Sequence, residues 1–214
     1  MAVRPVFVPG KRKNEADVFM TEFQWNSGMS ASQKRKNIDA LHEAFMKRFP
    51  EKKVLEISSK SRQDLGIKLS AFNLQKFVPE LEKSIPVECV YQGGKVFSGA
   101  GPFTDLYGAI PRDAKRDPRL RSNGMLRNFQ FDGRDFPITP ANAFYNWIYI
   151  NALIENPDLA EEVLQYDGFT DIEFNPNKSL NCQAAAAALY VSLQKRGLLS
   201  CCKDFSSFVD VVGK

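Results

Sequence analysis

Three polar side chains with catalytic potential lie close together in segment 87–97, whose sequence is Val-Glu-Cys-Val-Tyr-Gln-Gly-Gly-Lys-Val-Phe. If this segment is a helix, Glu88, Gln92 and Lys95 stand at i, i+4 and i+7 and share one face. A carboxylate, an amide and an ammonium on one face can bind a polar substrate and transfer protons. The same pattern is also typical of a solvated helix surface, and spacing alone leaves that alternative open.

The residues that flank this face predict the limits of its helix. Pro86 suits a first helical turn, and Ser84 lies where a capping side chain is expected. Inside a helix, Gly93 and Gly94 would each cost about 1 kcal/mol relative to alanine. The pair therefore indicates either the end of the helix or a backbone that another group approaches closely.

Length and composition favour one packed domain. The chain has 214 residues, of which 43% are hydrophobic and 17 are Phe, which argues against a disordered protein. The formal net charge of +4 is compatible with an anionic ligand, nucleic acid included, but is far below that of a histone-like protein.

Cysteine and histidine usage argues against a metal enzyme. The four cysteines, at positions 89, 182, 201 and 202, lack the two-residue gap of a zinc knuckle, and the chain has one histidine. We expect no metal site and no cofactor. Because no signal peptide and no membrane-spanning apolar run is recognisable, we expect a cytoplasmic protein with free thiols and no membrane partner.

Several cationic segments are candidates for phosphate binding. Lys60 and Arg62 lie in a loop of small residues that can wrap a pyrophosphate or form an ordinary surface turn. A helix capped by Ser30 or Ser32 and ending near Phe49 is predicted to carry the following cations on its polar face: Lys34, Arg35, Lys36, Lys47 and Arg48. These cations can contact nucleic-acid phosphates, although a charged helix surface is more often simply solvated. Segment 111–117 is open to the same two interpretations, whereas the run 11–13 is predicted to be a solvated loop.

Three segments, in order along the chain, resemble the NADAR superfamily, whose name refers to NAD and ADP-ribose. The pattern Glu-x3-Gln-x2-Lys at residues 88–95, followed by an aromatic residue, resembles the hallmark of that superfamily. Residues 69–73, Leu-Ser-Ala-Phe-Asn, are similar to its Leu-Ser-Asn-Phe element, with alanine in place of asparagine. The third segment runs from residue 171 to residue 181 and has Phe174 where a tryptophan is usual.

The similarity is closer still to the single-domain NADAR antitoxins that are paired with DarT-type DNA ADP-ribosyltransferase toxins. Four further segments resemble that branch: residues 23–25, 58–61, 143–151 and 169–175. The resemblance implies a mainly α (α+β) fold, a helical domain with a few short strands or a hairpin. We expect the NADAR domain at residues 51–200, an N-terminal extension of short strands and a helix packed on it at 1–50, and a C-terminal tail at 201–214.

The resemblance also implies the activity of an N-glycoside hydrolase and the roles of individual residues. It maps the functional glutamate of the family onto Glu88, its acidic residue onto Asp171, and polar positions of the pocket onto Gln92, Lys95 and Asn181. Because a lysine can also act as a nucleophile, the candidate catalytic residues are Glu88, Lys95 and Asp171. The candidate ligand-binding residues, taken from the resemblance together with the chemistry of the side chains, are Lys60, Arg62, Ser70, Phe72, Asn73, Tyr91, Gln92, Glu173, Phe174 and Asn181. The implied partners are ADP-ribose, DNA that carries ADP-ribose on guanine, and a cognate DarT-type toxin that the protein opposes.

The leading hypothesis is that the protein removes ADP-ribose from guanine in DNA. In one mechanism Glu88 stabilises an oxocarbenium-like centre, with Asp171 or Glu173 as its partner in activating water or protonating the leaving nitrogen. In the other, a sugar on an exocyclic amine opens to an imine, and Lys95 attacks it to form a Schiff base. The alternative functions are a non-catalytic ADP-ribose-binding protein, a stoichiometric toxin inhibitor and a small-molecule N-glycosidase.

Overall fold

The computed structural model of the protein describes residues 1–10, 16–177 and 179–213. The strands are β1 (Ala2–Pro9), β2 (Ala16–Phe23), β3 (Val54–Glu56), β4 (Gln75–Val78), β5 (Lys83–Pro86), β6 (Lys95–Phe97), β7 (Leu126–Phe131), β8 (Arg134–Pro137) and β9 (Gly168–Thr170). The α-helices are α1 (Ala31–Arg48), α2 (Asp64–Lys68), α3 (Val87–Gly93), α4 (Pro111–Ala114), α5 (Arg119–Ser122), α6 (Ala143–Ile154), α7 (Pro157–Glu162), α8 (Gln183–Lys195) and α9 (Phe205–Val212). Short 3-10 helices span Pro79–Leu81, Thr104–Gly108, Val163–Gln165 and Leu199–Lys203.

The fold is an α+β mixture, so the prediction of a mainly α domain was wrong. Helices account for 45% of the protein and strands for 21%, and the strands form sheets of four, two and three members. Strand β9 has three residues and β4 has four, which is too short to show the period-two hydrophobic pattern by which a strand is recognised in a sequence. Strand β9 exists because β1 and β3, both distant in the sequence, pair with it, whereas β4 pairs with the nearby β5.

The contacts between elements divide the chain into two compact units, each built from two stretches of sequence. Unit 1 consists of Met1–Ser70 and Pro157–Ser200, and unit 2 consists of Ala71–Asn156 and Cys201–Gly213. The domain boundaries predicted near residues 50 and 200 remain a prediction. The basic run 11–13, for which we predicted a solvated loop, lies outside the described residues.

Unit 1 is built on the four-stranded sheet, in the order β2-β1-β9-β3, with α1 packed against it. Helix α1 confirms the predicted helix and its cap, since the Ser30 hydroxyl accepts a hydrogen bond from Gln33 N at 3.3 Å. The core between sheet and helix is apolar and consists of Val6, Val8, Phe23, Ile38, Leu41, Phe45, Val54 and Ile172. Burial of such side chains contributes about 1.5–3 kcal/mol each.

Phe45 lies at the centre of this core, 2% exposed, with its ring centroid 4.9 Å from that of Phe49 and 6.0 Å from that of Phe19. Because Phe45→Ala leaves a cavity that the sheet cannot fill, we expect it to lower the free energy of unfolding by about 3–5 kcal/mol. Chemical denaturation measures this loss. The control is Met46→Ala, a neighbour on α1 that is 38% exposed, for which we expect a loss of less than about 1 kcal/mol. Equal losses for the two variants would contradict this description of the core.

Unit 2 contains the two-stranded sheet β4-β5, the three-stranded sheet β6-β7-β8, and helices α3, α6 and α9. The predicted hairpin turn at Asp132-Gly133 is confirmed: it joins β7 to β8, and both residues have positive φ, 51° and 66°. Behind the hairpin, the ring of Phe129 on β7 stacks on Phe144 of α6 with a centroid distance of 4.5 Å. This aromatic core supports α3 and β6, the elements that carry Glu88 and Lys95.

Candidate active site

Helix α3 holds Glu88 at its first turn, and its start differs from the prediction. The helix begins directly after β5, so Pro86 occupies the position before the first helical residue. Ser84 belongs to β5 and does not cap the helix. The Glu88 backbone N–H donates instead to the carbonyl of Ala71 at 2.8 Å. The turn formed by residues 71–74 therefore supplies a partner that the predicted cap would have supplied.

The glycine pair ends α3 and is also closely approached by other groups, so both interpretations of the pair are confirmed. A Cβ atom on Gly93 would lie 2.5 Å from the ring of Tyr107, and one on Gly94 would lie 2.6 Å from the carbonyl oxygen of Gln130. The chain leaves the helix here and continues as β6. Lys95 therefore lies on a strand, and the prediction that it shares a helix face with Glu88 was wrong.

The Glu88 carboxylate is nevertheless surrounded by polar groups of unit 2. Its side chain is only 5% exposed. Gln92 Nε2, one turn further along α3, donates to Glu88 Oε1 at 2.8 Å, as the i, i+4 spacing predicted. The ammonium of Lys115 lies 3.6 Å from Glu88 Oε2. A buried carboxylate held by an amide and a nearby cation can accept and return protons in a reaction.

The ammonium of Lys95 lies 4.7 Å from the ring centroid of Tyr91, a residue of α3 between Glu88 and Gln92. We call the group formed by Glu88, Tyr91, Gln92, Lys95 and Lys115 the Glu88 cluster. Burial lowers the pKa of this group to about 8, with Lys115 acting in the same direction and Glu88 opposing it. At pH 7 roughly a tenth of the Lys95 side chains then carry a neutral amine, compared with less than a thousandth for an ordinary lysine. A neutral amine is nucleophilic, so Lys95 is chemically available for attack on a carbon centre.

Two further features distinguish this cluster from a structural ion pair. Gln92 Oε1 is buried and accepts no hydrogen bond from any described residue, which costs stability and is typical of a functional site. The Lys115 ammonium also lies 5.5 Å from the ring of Phe72, which brings that predicted ligand-binding residue to the cluster. Lys115 is not among the predicted site residues; the basic character of segment 111–117 is the sequence signal that points to it.

In unit 1, the predicted residues Asp171, Glu173 and Phe174 lie in one turn after β9. Asp171 Oδ1 accepts a hydrogen bond from the Glu173 backbone N–H at 3.0 Å, and Asp171 Oδ2 accepts one from Gln183 Nε2 at 3.0 Å. Glu173 forms an ion pair with Lys34 of α1, with 3.4 Å between Oε2 and Nζ. Hydrogen bonds therefore fix the carboxylate of Asp171, and an ion pair holds that of Glu173.

This turn depends on a buried carboxylate that sequence reasoning missed. Glu56, on β3, is 2% exposed and accepts hydrogen bonds from Ile172 N at 2.9 Å and Thr170 Oγ1 at 2.6 Å. Burial raises the pKa of the Glu56 carboxyl, and hydrogen bonds from these groups and from Ser58 oppose that rise. An acidic residue inside the apolar strand Val54–Glu56 was the available signal. Glu56 thus fixes the backbone on both sides of Asp171.

The remaining predicted ligand-binding residues lie outside these two groups, and each has its own hydrogen-bond partners or degree of exposure. The guanidinium of Arg62 makes a two-point ion pair with Asp39, at 2.8 and 2.6 Å. The Lys60 ammonium donates to Ser59 Oγ at 3.1 Å, and the buried Ser70 hydroxyl donates to Ile67 O at 2.8 Å. Two asparagines complete the set: Asn73, exposed in unit 2, and Asn181, half-buried in unit 1 just before α8.

The structure therefore groups the predicted residues within each unit. In unit 2 it brings together Glu88, Gln92, Tyr91 and Lys95, with Phe72 joined through Lys115. In unit 1 it brings together Asp171, Glu173 and Phe174. The joint action of Asp171 and Glu88 stays a prediction.

His42, the one histidine of the chain, makes stability depend on pH through the same network. Its Nε2 lies 2.8 Å from Thr170 Oγ1, and because Thr170 donates to Glu56, the His42 Nε2–H donates to Thr170. Burial lowers the pKa of His42 from 6.5 to about 4, with Asp39 opposing. The unfolded chain therefore binds a proton at a higher pH than the folded chain, and stability is lost as the pH falls from about 6.5 to about 4.

We expect this loss to reach about 2–3 kcal/mol and to be much smaller in His42→Gln. Urea denaturation of both proteins between pH 4 and pH 7 measures the difference. Parallel pH profiles for the wild type and the variant would contradict the assignment to His42.

Two kinds of feature are absent among the described residues. No helix in these ranges has the length and apolar character needed to cross a membrane. Nor do three or more His, Cys, Asp or Glu side chains of these residues come together in a group suited to hold a metal ion.

Comparisons with known proteins identify the family. A search of curated proteins found no match. A family model described as NADAR-DarT1, DarT1-associated NADAR antitoxin, matches residues 2–214. The chain therefore belongs to the family of DarT1-associated NADAR antitoxins.

Proposed function

We propose that this protein is a DNA ADP-ribosyl glycohydrolase that removes ADP-ribose from guanine bases and thereby acts as the antitoxin of a DarT-type toxin. The observation that carries the proposal is that unit 2 holds a buried carboxylate, Glu88, and an amine, Lys95, that feels its charge; burial lowers the pKa of Lys95 to about 8, and Glu88 opposes that change. The family description supports the antitoxin role, because it names an association with DarT1. The toxin is the functional partner in this proposal.

The lowered pKa of Lys95 favours the route through an imine. Opening of the sugar ring moves the proton of the exocyclic guanine nitrogen to the ring oxygen and leaves a C1=N bond. The neutral Lys95 amine adds to C1, the bond from C1 to the guanine nitrogen breaks, and guanine leaves with its amino group restored. C1 is then joined to Lys95 as a Schiff base. Water adds to C1 and breaks its bond to Lys95, so that one water is consumed and free ADP-ribose is released.

In this proposal Glu88 transfers the protons that these reaction steps require. A carboxylate that is hydrogen-bonded to Gln92 at 2.8 Å has a fixed orientation, and its second oxygen faces the Lys115 ammonium at 3.6 Å. In this proposal Glu88 takes the proton from the attacking nitrogen of Lys95 and returns it to the leaving nitrogen of guanine. Lys115 balances the charge of Glu88 when the Lys95 amine is neutral.

The other nucleophile on α3 is a weak candidate at neutral pH. Cys89 is fully buried, and burial raises the pKa of its thiol to about 11, with the charge of Glu88 adding to the effect. The reactive thiolate is therefore scarce. The water route, in which Glu88 stabilises an oxocarbenium-like centre with Asp171 or Glu173 as partner, is the competing mechanism.

The proposed activity is tested by turnover. An oligonucleotide that carries ADP-ribosyl-guanine is incubated with a tenth of its molar amount of protein, and free ADP-ribose is measured. We expect many turnovers on this substrate and none on a matched oligonucleotide that carries ADP-ribosyl-thymine. Retained ADP-ribose binding without release would contradict the glycohydrolase and favour the non-catalytic binding protein.

A further inference from the structure

Two cationic side chains of unit 1 lie against one indole ring. The guanidinium carbon of Arg4, on β1, is 5.3 Å from the ring centroid of Trp25, and the ammonium of Lys34, on α1, is 6.0 Å from it. Trp25 itself packs on the core of unit 1 and is tilted against Phe23 at a centroid distance of 6.0 Å. The ring is therefore a fixed support for both cations.

The charges of this group are not balanced. Lys34 is paired with Glu173, and the Lys34 side chain is 18% exposed. For Arg4 the described residues provide no carboxylate within ion-pair distance, and its only side-chain hydrogen bond is from Nη1 to the carbonyl of Val3, at 2.9 Å. Two cations and one carboxylate leave a net positive charge at a half-buried place, where electrostatic attraction is stronger than in bulk water.

A guanidinium in this setting is suited to an oxyanion, either a carboxylate or a phosphate, and the substrate of the proposed function offers phosphates. Its planar fork of N–H donors matches two oxygens of a phosphate group, and ionised donors and acceptors form the stronger hydrogen bonds. Its present partner, the Val3 carbonyl, lies on the adjacent residue and uses one donor. The edge of the Arg4 side chain thus retains donors for an anion.

The group is also connected to the turn that holds Asp171. Glu173 joins both, since it pairs with Lys34 and its backbone N–H donates to Asp171 Oδ1 at 3.0 Å. In the same turn the ring of Phe174 packs edge-on against Phe7 of β1, at a centroid distance of 6.1 Å. A phosphate bound by Arg4 would therefore lie near the turn that carries Glu173 and Phe174, for which the sequence predicts ligand binding.

We propose that Arg4 and Lys34, supported by Trp25, form a phosphate-binding subsite of unit 1. The nature of the phosphate rests on the proposed function, whose substrate has phosphates both in the pyrophosphate of ADP-ribose and in the DNA backbone. Arg4 supplies the two-point contact, and Lys34 adds a second positive charge next to Glu173. The subsite is a binding feature and takes no part in bond cleavage.

The test compares variants that remove one positive charge each. Arg4→Gln removes the charge from the subsite. Lys195→Gln removes one from an exposed place on α8 of unit 1, where the structure describes no hydrogen bond or ion pair of the side chain among residues 1–10, 16–177 and 179–213. Equilibrium binding is measured with free ADP-ribose and with an unmodified single-stranded oligonucleotide. We expect Arg4→Gln to weaken binding of one probe about 10-fold or more, Arg4→Lys to weaken it less, and Lys195→Gln to change it less than about 2-fold.

The two probes distinguish the two sources of phosphate. A loss confined to ADP-ribose assigns the subsite to the pyrophosphate. A loss for the oligonucleotide, with the slope of log affinity against log salt reduced by about one, assigns it to the backbone. Equal small effects of Arg4→Gln and Lys195→Gln on both probes, or no binding of either probe by the wild type, would overturn the proposal.

Two controls separate a loss of binding from a loss of folding. Thermal unfolding of each variant shows whether it is folded. Lys34→Gln is a second subsite variant, and we expect it to weaken binding of the same probe as Arg4→Gln. Because both probes report binding and neither reports release, a protein that binds ADP-ribose through Arg4 but never cleaves would refute only the proposed glycohydrolase function.

Discussion

Replacement of Glu88 by glutamine is expected to lower the rate of ADP-ribose release by about 10³-fold or more, with the affinity for ADP-ribose nearly unchanged. Glutamine keeps the size of the side chain and an acceptor for Gln92 Nε2, which now donates to Glu88 at 2.8 Å. It cannot carry a proton between the attacking and leaving nitrogens. The loss should therefore appear in kcat, while the binding of the product is retained.

The measurement is single-turnover release from an ADP-ribosylated oligonucleotide, combined with an ADP-ribose titration. The control is Glu80→Gln, which removes an exposed carboxylate of unit 2 and should release ADP-ribose at the wild-type rate. Unchanged release by Glu88→Gln would remove Glu88 from the mechanism. Equal loss of binding and release would assign it to substrate binding alone.

Replacement of Lys95 by arginine separates the imine route from the water route. Arginine keeps a positive charge over Tyr91, where the Lys95 ammonium now lies at 4.7 Å, but it remains protonated and cannot form a Schiff base. We expect release to fall by about 10³-fold or more on the imine route, because covalent catalysis then fails altogether. Lys83→Arg, at an exposed position on β5, is the matched control and should be fully active.

The pH dependence of the wild type provides a second readout of Lys95. The reactive form is the neutral amine, which predominates above its pKa of about 8, so kcat/KM should rise with pH through this value and then level off. On the water route, the lysine charge is retained at neutral pH and no rise centred near pH 8 is expected. An active Lys95→Arg enzyme with a flat profile between pH 7 and pH 9 would favour the water route.

Local patterns in the sequence predicted those parts of the site that depend on neighbouring residues. The spacing of Glu88 and Gln92 predicted their contact, because residues four apart on a helix face the same way. The glycine pair 93–94 predicted a helix end with a close approach, and the Asp132-Gly133 turn predicted the hairpin. The Glu88–Gln92 contact, the helix end and the hairpin each lie within a few residues of their signal, whereas the groups that approach the glycines, Tyr107 and Gln130, come from distant segments.

Contacts between distant residues were beyond the reach of such patterns. Lys95 lies over the ring of Tyr91 because the chain leaves α3 at Gly94 and continues as β6, a strand paired with β7, and nothing in segment 87–97 itself encodes that pairing. Glu56 is bonded to residues more than 100 positions away, on a strand of three residues. Strand β9, which joins β1 to β3 in the four-stranded sheet, depends on the same kind of long-range pairing.

The direct test of the central claim, that Lys95 in the Glu88 cluster attacks the sugar, is chemical trapping. The protein is mixed with an oligonucleotide that carries ADP-ribosyl-guanine in the presence of borohydride, which reduces an imine to a stable amine. The protein is then digested and analysed by mass spectrometry. We predict an ADP-ribosyl adduct on Lys95, and no adduct when Lys95→Arg is treated in the same way. Continued turnover with no adduct on Lys95, or an adduct on another residue, would contradict the claim.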